Sequence, residues 1–286
     1  MLDSLIDLTG PLQPHGAWQS YRPLVAAVAI GFMLLEYGLA RLALHDTHDA
    51  KETAASFGIA AGNALLRGME AGLVALPFVI VYEYRAFDIP LNSVWAVLAL
   101  LLGSEFFYYW HHRAAHRIRW LWATHAVHHT PSKLNYTAAI RLGWTGAISG
   151  NFLFFLPLVW IGFHPLAVLG MLAVNLGYQF FIHTQLAPDL GPLEWVLNTP
   201  RHHQVHHASN ASCLDRNYGG ILIIFDRMFG SFAEHPKDEP LRYGLVDPLN
   251  SNNPLRIAFH EWLRMARDVG QARSWRQRWR AMFGTP

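Results

Sequence analysis

Apolar residues gather along the chain into five long stretches, running from about Leu24 to Leu44, Ala61 to Tyr82, Leu91 to Trp110, Trp144 to Phe163 and Pro165 to Phe181. Each is close to the ~20 residues a helix needs to cross the hydrocarbon core of a bilayer. The last two are separated only by the His164-Pro165 step and read as a helical hairpin. The pattern predicts an all-α fold: an integral membrane helical bundle of about four to five transmembrane helices. Charged residues interrupt the first two stretches, Glu36 and Arg41 in one, Arg67 and Glu70 in the other. Arg67 and Glu70, at i and i+3, can pair with each other or snorkel, the alternative being intramembrane polar sites. The start MLDSLIDLTG is acidic and polar, so the first stretch reads as a retained segment rather than a cleaved signal peptide. We read an N-terminal segment with one transmembrane helix over 1–60, a main domain over 61–245 and a basic amphipathic tail over 246–286.

Composition agrees with a membrane protein, since hydrophobic residues make up 52 % of the 286 and charged residues only 15 %. Cys213 is the single cysteine, which excludes an internal disulfide, a four-cysteine zinc site and a chain-borne iron–sulfur cluster. The net charge of +2 hides an asymmetry. If all five stretches cross, one face carries only Arg22 and Arg85. The other carries Lys51, Arg113, Arg117, Arg119, Lys133, Arg141, Arg201 and the Arg-rich tail. The bias of basic loops toward the cytoplasm places that second face inside.

The histidines fall on the same inner face. A helix starting near Leu91 uses up the ~30 Å hydrocarbon core at about Trp110, so His112 and His116 emerge just beyond it. The hairpin goes out and returns, bringing His183 back to that level. His112 and His116 stand at i and i+4; His125, His128 and His129, like His203, His206 and His207, stand at i, i+3 and i+4. On a helix each set shares one face. Neutral imidazoles converge chiefly to bind a transition metal, because protonated rings would repel one another. Eight or nine are too many for one ion and suggest two metals in a shared, cytosolic-face histidine-rich cap. His15, His45, His48, His235 and His260 read as surface residues and His164 as part of the hairpin turn. His111 and His202, each beside a box, point elsewhere and are candidate donors behind the ligands.

The boxes H-x-x-x-H at 112–116, H-x-x-H-H at 125–129 and H-x-x-H-H at 203–207 resemble those of the fatty acid hydroxylase/sterol desaturase superfamily of membrane di-iron oxygenases. The segments YYWHHRAAH, FIHT, NTPRHHQVHH and RNYGGILIIFDRMFGSF strengthen the likeness over roughly residues 100–233. GPLEWVLNTPRHHQVHH followed by NYGGILII is most similar to the alkylglycerol monooxygenase branch. The chain departs from that branch at Arg117, where an acidic residue is usual, at Phe225 in place of Trp, and at Ser231 in place of Thr. The resemblance implies two iron ions, with zinc able to substitute, bound by His112, His116, His125, His128, His129, His183, His203, His206 and His207. It implies O2-dependent hydroxylation or desaturation of an unactivated C–H bond in a fatty acyl, sterol or ether lipid.

Electrons must then come from outside, because no G-x-G-x-x-G fingerprint and no cytochrome-like segment is present. A ferredoxin, a b-type cytochrome or a reduced tetrahydropterin could supply them, and the basic inner face could dock an acidic partner. Glu105, two turns before His112, and Asn198, Asp215, Asn217 and Tyr218 could orient imidazoles; the alternative for the last four is turn and cap chemistry. Asp226 beside Arg227 reads as an ion pair. The tail, alternating Arg with Trp262, Trp275, Trp279 and Phe283, suits a helix in anionic headgroups better than nucleic acid. Two other classes stay open: a zinc-dependent membrane hydrolase, which needs a carboxylate base beside the cage, and a histidine-rich metal transporter, whose ligands should lie mid-span.

Overall fold

The computed structural model of the protein describes residues 17–286, and for residues 17–22 and 67 the backbone alone. The acidic start, His15 and the Arg22 and Arg67 side chains lie outside it. The chain divides into two compact units, one ending at Asp46 and one running Thr47–Pro286. The first is helix α1 (Ala17–Leu42), whose Pro23–Leu42 portion is long and apolar enough to cross a membrane and exposes Leu24, Leu34 and Leu35.

The second unit holds the remaining described helices. They are α2 (Ala50–Glu83), α3 (Val94–Arg117), α4 (Arg119–His125), α5 (Tyr136–Ala139), α6 (Gly146–Ser149), α7 (Leu156–Ile161), α8 (Pro165–Ile182), α9 (Pro200–His207), α10 (Ile224–Met228), α11 (Pro254–Gln271) and α12 (Trp275–Phe283). Helix starts follow side-chain caps: Asp49 accepts from Lys51 N and Glu52 N, Ser93 from Ala96 N, and His164 from Leu166 N ahead of Pro165. Helices α2, α3, α7 and α8 enclose a core of Phe78, Leu100, Tyr108, Phe155, Leu158, Val159, Phe163 and Val168. Among the described residues, α1 and α8 meet the length and composition of a membrane span. The α2 pair Ala50–Leu66 and Gly68–Glu83, bent by 57°, makes a third if counted as one.

The hairpin departs from expectation in its first limb. Residues 144–163 form α6, a 3-10 turn over Asn151–Phe155, and α7, rather than one helix. Gly150 sits at φ 80°, which ends α6, and Pro157 starts a new helix. The hydroxyls of Thr145 and Ser149 meet Thr124 Oγ1 at 2.6 and 2.9 Å, fixing α6 against α4 instead of letting it extend. Asn151–Ile161, 11 residues by numbering, falls well short of the ~30 Å core at helical rise. The inside assignment from loop parity, which needed this crossing, loses that support.

The segment 246–286 packs into the second unit. Ile257, Ala258, Glu261 and Met265 of α11 are buried, and Arg119 bridges to Glu261 at 2.9 Å and Asp268 at 2.6 Å. His260, expected at the surface, is buried with Nδ1 against Ile257 O, because it lies on the packed face of this amphipathic helix. Gly143 lets the chain after α5 press on α4, since a Cβ there would stand 2.3 Å from Thr124 O. Gly143→Ala is therefore expected to cost about 1–3 kcal/mol, read as a lower thermal midpoint in detergent.

Candidate metal centre

Four elements carry the histidines. Helix α3 runs on past its apolar part to present His112 and His116. Helix α4 ends at His125, and tight turns, His128 N to His125 O and His129 N to Ala126 O, carry the next two rings round. Helix α9 starts at the Thr199 cap with Pro200 in its first turn and delivers His203, His206 and His207, all buried. His183 caps the C-terminus of α8.

These nine rings assemble into two groups whose candidate ligand atoms lie within 4.8 Å of one another. One is His112, His116, His125, His129 and His206; the other is His128, His183, His203 and His207. His129 and His207 stack across the boundary at 4.4 Å between ring centroids.

Hydrogen bonds fix which nitrogen of each key ring is bare. Nδ1–H of His112 donates to Tyr218 O at 2.8 Å, that of His206 to Arg216 O at 3.0 Å, that of His128 to Arg141 O at 3.3 Å, and that of His183 to Gln179 O. Carbonyl oxygens only accept, so in these neutral rings Nε2 holds a lone pair. Yet His128 Nε2 and His183 Nε2 stand 2.9 Å apart, and His183 Nε2 lies 2.9 Å from His203 Nε2. Two acceptors facing at that distance repel unless a cation sits between them. In the other group His112 Nε2 is 3.0 Å from His125 Nε2, and Nε2 of His116 and His206 are buried without a partner. Nitrogens bound at right angles to one ion, each about 2.1 Å from it, would be separated by about 3.0 Å. The donor set thus fits a metal ion in each group.

Burial holds the rings neutral. It is the largest cause pushing His112, His116, His125, His128, His129, His203 and His207 well below the ordinary histidine range, and it takes His206 down to about 4. In the unfolded chain these rings titrate near 6.5, so below that pH the unfolded state binds protons the native state refuses. Metal-free protein should hold its thermal midpoint above pH 7 and lose it progressively from about 6.5 toward 4, each neutral ring contributing up to about 1.4 kcal/mol per pH unit.

Around the cage, Asp226 accepts from Tyr218 N, Gly219 N and Ser231 Oγ at 2.7–2.8 Å, holding the loop whose Tyr218 carbonyl orients His112. It does not pair with Arg227, whose guanidinium lies over the Trp195 and Phe232 rings. Glu105 accepts from Ile221 N at 2.7 Å, Leu222 N at 2.9 Å and Asn175 Nδ2, so it braces the same loop rather than touching a histidine. Asn175 is joined to Gln179, and Gln179 accepts from Tyr108 OH at 2.9 Å. Asn175 and Gln179 were not singled out from sequence, though polar residues at 175, 179 and 183 make an i, i+4, i+8 stripe in an apolar helix.

Of the other candidates, Asn198 Nδ2 donates to Gly219 O and Gly220 O, and Asn217 Nδ2 to His202 O and Ala233 O, so both side chains tie distant backbone segments together rather than touching an imidazole. Asp215 pairs with Arg117 at 2.7 Å and lies 3.9 Å from His116 Nδ1. His202 accepts from Thr199 N in the α9 capping box, and His111 packs against Phe154, Phe155 and Tyr108. A cavity of about 540 Å³ reaches His116, His129, His206 and His207 past Trp122 and Arg264.

Among the described residues, apolar helices and nine histidines gathered into two groups define a membrane protein with a site built to bind metal. Residues 97–231 match the fatty acid hydroxylase family. The likeness read from the three boxes holds at the level of the superfamily and of the alkylglycerol monooxygenase branch. The chain is 42 % identical over 185 residues to human alkylglycerol monooxygenase, covering 64 % of this chain and 40 % of that protein. It is 44 % identical over 176 residues to the Danio rerio protein of the same name, covering 59 % and 37 %. An ornithine lipid hydroxylase of Rhizobium tropici is 32 % identical over 151 residues, covering 52 % and 45 %. The chain thus spans about 40 % of the length of the alkylglycerol monooxygenases it matches. No solved structure matches.

Proposed function

We propose that the protein is a membrane-bound, O2-dependent lipid hydroxylase or desaturase with two iron ions. His112, His116, His125, His129 and His206 hold one, and His128, His183, His203 and His207 the other. The observation that carries this reading is the pair of facing lone pairs at His128 and His183, set in a chain similar to lipid monooxygenases. When bound, the irons supply the oxidising chemistry that breaks an unactivated lipid C–H bond, with O2 and electrons from a separate protein or reduced pterin. The chain's own part is to set geometry and exclude water. Backbone carbonyls of Tyr218, Arg216, Arg141 and Gln179 hold four imidazoles in one tautomer. Tyr108, which belongs to the apolar core, lies 5.4 Å from the His112 ring and shields that side of the site.

We place the centre on the cytosolic face. Arg113 and Arg117 at the end of α3 and Arg119 at the start of α4 support that side. The zinc hydrolase reading loses ground, because Glu105 and Asp226 spend their carboxylate oxygens on backbone N–H groups, Asn175 and Ser231. The transporter reading fits poorly with ligands gathered beyond the apolar part of α3. Purified iron-loaded protein should consume O2 with a lipid extract and a chemical reductant, and mass spectrometry should find a lipid heavier by one oxygen or lighter by two hydrogens. Iron-loaded protein with no O2 uptake and no altered lipid would refute the reading.

A further inference from the structure

Helix α12 carries an arrangement that catalysis does not use. Trp275, Trp279 and Phe283 recur at i, i+4 and i+8, and the two indoles are 70 % and 55 % exposed. They are held out by a fixed helix rather than a loose end. Arg119 N donates to Gly284 O at 2.9 Å and Arg119 Nη1 to Ala281 O at 3.3 Å, while Phe283 lies 5.9 Å from the Trp120 ring. Arg273, Arg276, Arg278 and Arg280 flank the aromatic strip, all exposed, and no acidic residue occurs from Ala272 to Pro286.

We propose that α12 is a docking helix for an anionic lipid surface, its indoles in the headgroup layer and its arginines on lipid phosphates and carboxylates. Exposed Trp beside Arg on a short rigid helix matches the amphipathic, anionic interface of a bilayer. An acidic protein would complement the arginines but leave two bare indoles unexplained. Residues 285 and 286, just past the helix, line the cavity that reaches the metal centre. Docking would therefore set that mouth at the headgroups. The proposal concerns binding alone and stands or falls apart from lipid oxidation.

The test uses the full chain in nanodiscs with a nitroxide at Trp279→Cys or Gln277→Cys, each in a Cys213→Ser background. In discs with about one-third phosphatidylglycerol, the label at 279 should be roughly tenfold less accessible to an aqueous nickel complex than the label at 277, and more accessible to oxygen. The contrast should shrink to within about twofold in pure phosphatidylcholine, or when Arg276, Arg278 and Arg280 are all changed to Gln. Equal nickel access at the two positions in anionic discs would overturn the proposal. So would shielding of 279 from nickel and oxygen alike, the sign of a protein cover.

Discussion

His183→Ala is expected to remove the metal of the four-histidine group, leaving about one ion per chain in place of two, and to lower lipid oxidation by at least about 100-fold. His183 is the member of that group whose Nε2 stands 2.9 Å from two others, His128 and His203. Its loss leaves three ligands and opens the gap at the centre. His260→Ala is the matched control: it too removes a buried imidazole, but from α11 and outside both groups. Metal analysis of the two variants beside the parent separates loss of a ligand from loss of packing.

Asp226→Ala should be the most damaging change away from the histidines. The carboxylate is fully buried and satisfies two backbone N–H groups and the Ser231 hydroxyl. Truncation strands the two N–H donors at about 1–3 kcal/mol each and leaves the Ser231 hydroxyl with Tyr109 OH alone, so a loss of roughly 3–5 kcal/mol is expected after relaxation. The same loop carries the Tyr218 carbonyl that holds His112 Nδ1–H, so iron affinity should fall along with the thermal midpoint. Asp226→Asn keeps the shape but turns one acceptor into a donor, and should fall between parent and alanine in both measurements.

The centre was legible because its ligands repeat at helical spacing and because α3 runs out of apolar residues where His112 begins. Which ring joins which group was not. His128 and His129 are neighbours in sequence yet belong to different groups, and His206 parts from His203 and His207. His206 and His207 are adjacent helical positions and point about 100° apart, while His128 and His129 lie in the turns past α4, so each box splits between the groups, and only the convergence of four segments decides how. The broken limb over 144–163 was illegible for another reason. Its composition is as apolar as a span, but Gly150, Pro157 and the hydroxyls of Thr145 and Ser149 set its path through contacts with α4. Asp226 was misread through its neighbour Arg227, since backbone N–H partners leave no mark in a sequence. Glu105 was noticed for its distance from His112 along the helix, whereas its partners, Ile221 and Leu222, lie more than a hundred residues away.

The most direct test is X-ray absorption at the metal edge of the purified protein, with metal content measured on the same sample. Two ions per chain, each in a shell of imidazole nitrogens at about 2.1 Å, is the expected result. A folded chain that holds no metal, or ions surrounded by oxygen with no imidazole scattering, would contradict it.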